Sequence, residues 1–182
     1  MIDIRGNTSN EVSDGLTIVN LFSLLQSTEN LNDATVVEEF VREVWKVHDN
    51  SSYRWKLEDG IVALLHGSHK KALSIFEDLI VKDPMYFEAW NRLSTCQYLL
   101  GSMEKALANA ERTIELQPLH FQAFNGLGLC YYETGQYLKS IEAFRFSIIL
   151  DPWSPSSSKL SACLDLARRS NETSHTDQNL TK

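Results

Sequence analysis

The sequence predicts an all-α fold made of three tandem helical hairpins, and three observations lead to this prediction. Proline and glycine each recur at an interval of 34 residues, at Pro84, Pro118 and Pro152 and at Gly67, Gly101 and Gly135. Apolar residues between these marks recur at steps of three and four, as in Ile141, Phe144 and Ile148. No sustained alternation of apolar and polar residues, as strands would need, is found. The 34-residue interval therefore marks a repeated pair of helices.

The composition fits a helical protein of this size. The chain has 182 residues, of which 43% are hydrophobic and 23% are charged. These fractions are ordinary for a globular protein and argue against disorder along the whole length. Only 4 prolines and 8 glycines are present, which favours helix. The length suits one domain or a short repeat array.

With each proline at position 32 of a 34-residue unit, the repeats span residues 53–86, 87–120 and 121–154. Small residues then occupy positions 8 and 20 of every unit; these are Gly60, Ser94 and Gly128, and Ala72, Ala106 and Ser140. We expect the two helices of a hairpin to approach most closely at these positions. The glycine at position 15 ends the first helix, because it adopts a positive φ without a steric clash. The proline stops the second helix, and we expect it in the first turn of the next helix, capped by the residue before it.

Small residues at positions 8 and 20, an aromatic residue at position 24 in Phe76 and Phe144, and proline at position 32 resemble the tetratricopeptide repeat (TPR) family. The resemblance covers about 102 of the 182 residues. It implies a right-handed superhelix of antiparallel helical hairpins, known as a TPR α-solenoid. The chain also resembles a group of short bacterial proteins and their plant relatives, in which an L-F-x-x-L helix and a helix with a late tryptophan precede three repeats. Here these features are Leu21 to Leu25 and Trp45.

Two further helices are predicted before the repeats, at residues 16–27 and 33–48, within an N-terminal region of residues 16–52. The first has Leu16, Val19, Phe22 and Leu25 on one face, and the second has a stripe of Val37, Phe40, Val41, Val44 and Trp45. Asp33 is the expected cap of the second helix. The two helices form either a divergent hairpin or an N-terminal cap, because a solenoid needs end elements that cover its open faces.

A C-terminal capping helix is predicted at residues 155–169, after Pro152 and Pro155. It carries Leu160, Cys163 and Leu164 as apolar residues. Residues 1–15 and 170–182 are polar and are expected to be disordered.

Charge excludes several classes of partner. The formal net charge is −7, and residues 1–52 hold 9 acidic and 3 basic side chains. No basic stripe is present, so nucleic acid is not an expected partner, and an acidic surface is repelled by anionic membranes. The start of the chain carries neither a secretory signal nor a transit peptide. We therefore expect a cytoplasmic protein, with an organelle as the alternative if a longer N-terminus exists.

The sequence offers no catalytic constellation, metal site or cofactor motif. His66 and His69 flank an inter-helix turn without a third ligand nearby in the sequence. The three cysteines, Cys96, Cys130 and Cys163, are widely spaced and are expected to be reduced. We therefore predict a protein that is not an enzyme and needs no cofactor.

The resemblance places a ligand of such a fold in a concave groove lined by the first helix of each hairpin. Carried over by repeat position, the candidate peptide-binding residues are Leu57, Ile61, Asn91, Thr95, Tyr98, Gln122, Asn125, Leu129 and Tyr132. Asn91 and Asn125 are expected to hydrogen-bond the backbone of an extended peptide, while the apolar and tyrosine residues bury its side chains. The alternative is that the apolar members pack against the chain's own N-terminal helices.

Some members of the family bind the C-terminal carboxylate of heat-shock chaperones with Lys, Asn and Arg at fixed groove positions. Here those positions carry Leu57, Ile61, Arg92, Gln122 and Gly126. Because the required cations are mostly missing, we do not expect this carboxylate clamp.

The predicted function is therefore a protein-binding adaptor or scaffold that holds a peptide or helix and is a monomer or weak oligomer. A structural subunit of a stable complex and an accessory fragment of a longer protein are the alternatives.

Overall fold

The computed structural model describes residues 18–180 of the chain, and side chains up to residue 169. Within this part, the protein forms nine helices and no strand. The helices are α1 (Ile18–Ser27), α2 (Leu31–Lys46), α3 (Ser51–Leu65), α4 (His69–Lys82), α5 (Phe87–Leu99), α6 (Met103–Leu116), α7 (Phe121–Glu133), α8 (Tyr137–Leu150) and α9 (Ser156–Leu180). The predicted disordered segment 1–15 and residues 181–182 lie outside the described residues, as does Leu16.

The chain divides into two compact units between Val44 and Trp45. In the first unit, the buried side chains of α1 and α2 are Leu21, Phe22, Leu25, Ala34, Val37 and Val41. The predicted apolar faces were partly wrong, because Val19 is 57% exposed, Phe40 46% and Val44 44%. The steps from Ala34 to Val37 and Val41 follow the helical period, whereas Phe40 and Val44 lie to the side of that line.

The start of α2 also differs from the prediction. The helix begins at Leu31, and the side-chain oxygen of Asn30 accepts the backbone N–H of Asp33 at 3.0 Å. The amide of Asn30 in turn donates to the Asp33 carboxylate at 2.8 Å. The cap is therefore Asn30, and Asp33 supports it from within the first turn.

In the second unit, each helix from α3 to α9 packs against the next one along the chain. The pairs α3/α4, α5/α6 and α7/α8 are the three predicted hairpins, and α9 packs on α8. Helix α5 also contacts both α3 and α7, so the first helices of the hairpins lie side by side along one face. This arrangement confirms the all-α solenoid of helical hairpins.

Glycine ends the first helix of each hairpin, as predicted. Gly67, Gly101 and Gly135 have φ values of 71°, 77° and 73°. This left-handed conformation is open to glycine at little cost and strained for other residues. The inter-helix turns are thus fixed by the sequence.

Close approach within the hairpins occurs at the predicted small positions. A Cβ atom added at Gly60 would collide with the ring of Phe76, and one added at Gly128 would collide with Phe144. Both rings are fully buried, and burial of a side chain of this size contributes about 1.5–3 kcal/mol. The missing Cβ in α3 and α7 is therefore what admits each phenylalanine.

A serine hydroxyl ties the two helices together in the second and third hairpins. In the second, Ser94 Oγ donates to the carbonyl oxygen of Ala106 at 2.8 Å. In the third, Ser140 Oγ donates in the opposite direction, to the carbonyl of Gly128 at 2.7 Å. The same contact between positions 8 and 20 thus carries a buried hydrogen bond whichever helix supplies the hydroxyl.

The repeated proline does not lie in the first turn of the following helix, which corrects the prediction. Helix α5 begins at Phe87, three residues after Pro84. Asp83 is not the cap of α5, because its carboxylate accepts the backbone N–H of Met85 at 2.8 Å and closes a turn around the proline. The corresponding Asp151 accepts the N–H of Trp153 at 3.1 Å. These side chains stabilise the turn between the hairpins.

The C-terminal helix is longer than predicted. Helix α9 runs from Ser156 to Leu180, whereas a helix at residues 155–169 followed by a disordered tail was expected. No glycine or proline stands between residues 156 and 180 to end the helix.

Candidate functional site

A groove with a volume of about 230 Å³ lies between α5 and α7. The two helices begin successive hairpins and contact each other, so equivalent repeat positions face the same space. The lining residues are Asn91, Arg92, Ser94, Thr95, Tyr98, Gln122, Asn125, Gly126, Leu129 and Cys130. The groove is therefore mixed in character, with amide, hydroxyl and guanidinium groups beside apolar surface.

Six of the nine predicted binding residues line this groove; they are Asn91, Thr95, Tyr98, Gln122, Asn125 and Leu129. The other three do not. Leu57 has no exposed surface and belongs to the hydrophobic core of α3, α4 and α5, and Ile61 packs against that core. An apolar side chain at a groove position gains more from burial than from facing water, which corrects the prediction for the first hairpin.

Tyr132 also lies away from the groove lining. Its ring meets the ring of Tyr137 edge-on at a centroid distance of 6.1 Å. The ammonium group of Lys159, from α9, lies 5.5 Å from the centroid of the Tyr132 ring. This cation–π contact orients the tyrosine toward the capping helix.

The two amides expected to bind a peptide backbone already have partners within the chain. Asn91 is 5% exposed, and its Nδ2 donates to the Glu88 carboxylate at 3.3 Å. Asn125 Oδ1 accepts a hydrogen bond of 2.7 Å from the hydroxyl of Ser156, at the start of α9. Both amides are therefore held in fixed orientations, with part of their hydrogen-bonding capacity in use.

An acidic side chain lies buried under the groove. Glu88, which is 1% exposed, forms an ion pair of 2.6 Å with Arg92 Nη2 and contacts His120 Nε2 at 2.9 Å. Burial raises the pKa of Glu88, but the charge of Arg92 and the hydrogen bond from His120 outweigh it, so the pKa is lowered overall. Glu88 is therefore ionised at neutral pH, and it neutralises the charge of the groove residue Arg92.

His120 links this acidic side chain to the start of α7. Its Nδ1 accepts the backbone N–H of Ala123 at 3.2 Å, as the N-cap of the helix. Because Nδ1 accepts a hydrogen bond, the ring proton lies on Nε2, which donates to Glu88. The indole of Trp45 stacks on the imidazole with ring centroids 3.9 Å apart. These contacts fix the imidazole of His120 in one orientation.

Two buried polar atoms of groove-lining residues have no hydrogen-bond partner in the described part of the chain. They are Nε of Arg92, a donor, and Oε1 of Gln122, an acceptor. Most buried polar groups in proteins are paired, and an unpaired one costs about 1–3 kcal/mol. Two residues that line the groove thus hold one buried donor and one buried acceptor without a partner among the described residues.

Two further groove residues have perturbed acidities. Burial raises the pKa of Tyr98, and the neighbouring carboxylate of Glu133 raises it further, so the phenol stays protonated and donates. Burial raises the pKa of Cys130 to about 11. Because the thiolate is the reactive form, Cys130 is an inert thiol at neutral pH.

The described residues carry little other chemistry. No group of three or more His, Cys, Asp or Glu could hold a metal ion among the side chains that the structure describes, which end at residue 169. None of the helices that the structure describes combines the length and the hydropathy needed to cross a bilayer.

The buried cluster of Glu88, Arg92, His120 and Trp45 was not predicted from the sequence. Glu88 and Arg92 are four residues apart on one helix, a spacing that usually indicates an exposed surface pair. His120 falls 32 residues later, at the last position of the same repeat. Only the side-by-side packing of α5 and α7 brings it to Glu88.

Comparison with known proteins bears on the family and the fold. The family model described as tetratricopeptide repeat matches residues 57–112 and 104–152, which together span just over half of the chain. A search of curated proteins finds no match to this chain.

Several solved structures are similar in fold. The first TPR domain of Spaghetti (RPAP3), bound to the HSP90 peptide SRMEEVD, has a TM-score of 0.63 and 12% identity, covering 66% of this chain and 96% of that one. The Sgt2 TPR domain from Aspergillus fumigatus has a TM-score of 0.64 and 18% identity, covering 68% and 83%. The Yersinia enterocolitica type III secretion chaperone SycD, in complex with a peptide of the translocator YopD, has a TM-score of 0.60 and 13% identity, covering 68% and 97%.

Proposed function

Because the chain belongs to the tetratricopeptide repeat family, we propose that it is a protein-interaction adaptor that binds an extended peptide in the groove between α5 and α7. Members of this family are generally non-catalytic interaction modules. Two of the similar structures contain a bound peptide, one from HSP90 and one from the translocator YopD. Those peptides belong to those proteins, and they support only the general mode of action here.

The observation that carries the proposal is the unpaired donor and acceptor in the groove. A peptide group offers one C=O acceptor and one N–H donor, which match Arg92 Nε and Gln122 Oε1 in kind. Binding an extended backbone would therefore satisfy two buried atoms that are otherwise unpaired. Tyr98 and Leu129 supply apolar area for side chains of the ligand, and the Tyr98 hydroxyl supplies a further donor.

The charge of the groove argues against an acidic chain terminus as ligand. Arg92 is the single cationic side chain among the lining residues, and Glu88 already neutralises it. Glu133 adds negative charge close to Tyr98. A free carboxylate would lose its hydration without gaining a counter-charge, so the preferred ligand is an internal, uncharged peptide segment.

The test is a selection of random peptides displayed on phage against the full chain, followed by fluorescence anisotropy with a selected peptide. Gln122→Leu is expected to weaken binding about tenfold, because it removes the acceptor. The same change should leave the free energy of unfolding unchanged or slightly higher, since an unpaired buried oxygen is lost. Gln136→Leu, an identical change at an exposed turn residue, is the matched control and should bind as the unaltered chain does.

The HSP90 peptide SRMEEVD serves as the negative probe in the same assay, and we expect no saturable binding. Equal affinity of the Gln122→Leu variant and the unaltered chain would refute the proposed groove. Saturable binding of SRMEEVD would refute the inference about charge.

We also propose a compartment and one alternative role for the protein. All three cysteines are free and buried, which supports a reducing compartment such as the cytoplasm. A structural-subunit role is the alternative function, and the exposed apolar side chains on α8 favour it.

A further inference from the structure

The outer face of α8 carries an apolar surface with two opposite charges in its middle. The residues of this face, called the α8 stripe below, are Leu138, Ile141, Glu142, Arg145, Phe146 and Ile149, and they line a shallow cavity of about 410 Å³. Leu138 is 74% exposed, Ile149 60% and Phe146 47%. None of these six residues lines the groove between α5 and α7.

The other face of α8 is already the core-facing side of the helix. Ser140, Ala143, Phe144 and Ser147 are buried there. The period of 3.6 residues puts the α8 stripe on the opposite side. A helix that is apolar on both faces is typically covered on both faces.

The surface extends beyond the helix itself. An adjoining cavity of about 280 Å³ shares Glu142 and Phe146 with the α8 stripe and is also lined by Phe124 and Tyr131. The rings of Phe124 and Phe146 are stacked with centroids 5.3 Å apart. Large contiguous apolar patches of this kind mark interaction sites on soluble proteins.

The order of residues in the α8 stripe is symmetric about its midpoint, between Ala143 and Phe144. If two copies of α8 pack antiparallel about a twofold axis through that point, residues equally distant from it face each other. The pairs are then Leu138 with Ile149, Ile141 with Phe146, and Glu142 with Arg145, each formed twice. Every apolar side chain meets an apolar one, and every charge meets its opposite.

The two charges are available for such a contact. Glu142 and Arg145 are both exposed, and neither forms an ion pair within the described residues of its own chain. A parallel arrangement of the two helices would instead place Glu142 near Glu142 and Arg145 near Arg145 of the second copy. The charge order therefore selects the antiparallel arrangement and acts against the parallel one.

We propose that the α8 stripe is a twofold-symmetric contact with a second copy of this chain. One helix from each copy, with the adjoining aromatic residues, gives an interface near the lower end of the size range of specific contacts, about 1,200 Å² in total. The dimer is therefore reversible and forms with increasing protein concentration. Each copy keeps its groove open, so the dimer presents two peptide sites.

Sedimentation velocity over a range of concentrations tests this contact on the full chain. The unaltered chain is expected to shift from monomer to dimer as concentration rises. Glu142→Arg places two arginines opposite each other at both symmetric positions and should raise the dissociation constant of the dimer at least about tenfold. Arg145→Glu should do the same through paired carboxylates.

The double variant Glu142→Arg with Arg145→Glu restores opposite charges across the twofold axis and should recover the dimer. A general loss of folding cannot produce this recovery, and circular dichroism checks each variant. A chain that stays monomeric at all concentrations would overturn the proposal and leave the α8 stripe to a different protein. Dimers of unchanged affinity in both single variants would also overturn it.

The proposed dimer and the proposed peptide groove can be tested independently of each other. Gln122→Leu alters the groove only, so it should sediment as the unaltered chain does. Loss of dimerisation in Glu142→Arg with peptide binding retained fits both proposals, whereas loss of peptide binding in that variant would contradict the separation of the two surfaces.

Discussion

Equivalent repeat positions behave differently in the first hairpin and in the two that follow. At the fifth position, α3 carries Leu57, which is fully buried in the core, whereas α5 and α7 carry Asn91 and Asn125 beside an open groove. The backbone places all three in the same orientation, but the side chains have opposite solvation preferences. A shared repeat position therefore gives a residue its direction, and the residue type decides whether the side chain joins the apolar core, as Leu57 does, or the lining of the groove, as Asn91 and Asn125 do.

The second position of the repeat shows the same contrast among polar residues. Arg54 in α3 is exposed, Glu88 in α5 is buried with three side-chain partners, and Gln122 in α7 keeps one unpaired oxygen. Glu88, Asn91 and His120 thus form a group of buried polar side chains between α5 and the start of α7.

Among substitutions at these repeat positions, Glu88→Gln is expected to change stability the most. The change removes the charge opposite Arg92, and breaking a buried ion pair from one side costs about 3–5 kcal/mol. We expect a loss of this size in the free energy of unfolding, measured by urea titration. Glu115→Gln is the matched control; Glu115 forms an exposed pair of 2.8 Å with Arg112, and its loss should cost about 0.5 kcal/mol or less.

The effect of Glu88 should depend on pH in a defined direction. Because its pKa in the folded protein is lowered from 4.5, the contribution of Glu88 to stability is complete above pH 4.5. It is lost as pH falls through the lowered value. The difference in unfolding free energy between the unaltered chain and Glu88→Gln should therefore be constant near neutrality and shrink in acid. A difference that grows in acid would contradict this assignment.

A smaller change in stability is expected when the same leucine truncation is made in the first and in the third hairpin. Leu57→Ala leaves a cavity in the core and should cost about 3 kcal/mol of unfolding free energy. Leu129→Ala, the same change in the half-buried lining of the groove, should cost about 1 kcal/mol or less. Peptide affinity should show the reverse order, with Leu129→Ala the more damaging. Equal losses of stability in both variants would remove the distinction between core and groove.

Much of the fold could be predicted because local chemistry fixes it. Gly67, Gly101 and Gly135 adopt the left-handed conformation that only glycine takes readily, so the ends of three helices follow from sequence. The small residues Gly60 and Gly128 likewise fix where Phe76 and Phe144 pack. The starts of α5 and α7 relative to Pro84 and Pro118 were missed. At Pro84, the side chain of Asp83 closes a turn that delays the next helix.

The site could be predicted less well because its partners come from distant parts of the chain. Asn125 is held by Ser156, and His120 reaches Glu88 across two helices. A repeat pattern indicates which face a residue occupies but not which neighbour satisfies it. The burial of Leu57 could have been predicted, because an apolar side chain favours the core over an open groove.

The most direct measurement is amide chemical shift mapping of the full chain during titration with a peptide selected by phage display. Binding in the proposed groove should move the backbone amides of α5 and α7 around Asn91, Tyr98, Gln122 and Asn125, and leave those of α3 around Leu57 in place. The Gln122→Leu variant should show smaller shifts at the same peptide concentration. Shifts centred on α3 or on the α8 stripe, with none in α5 and α7, would contradict the account.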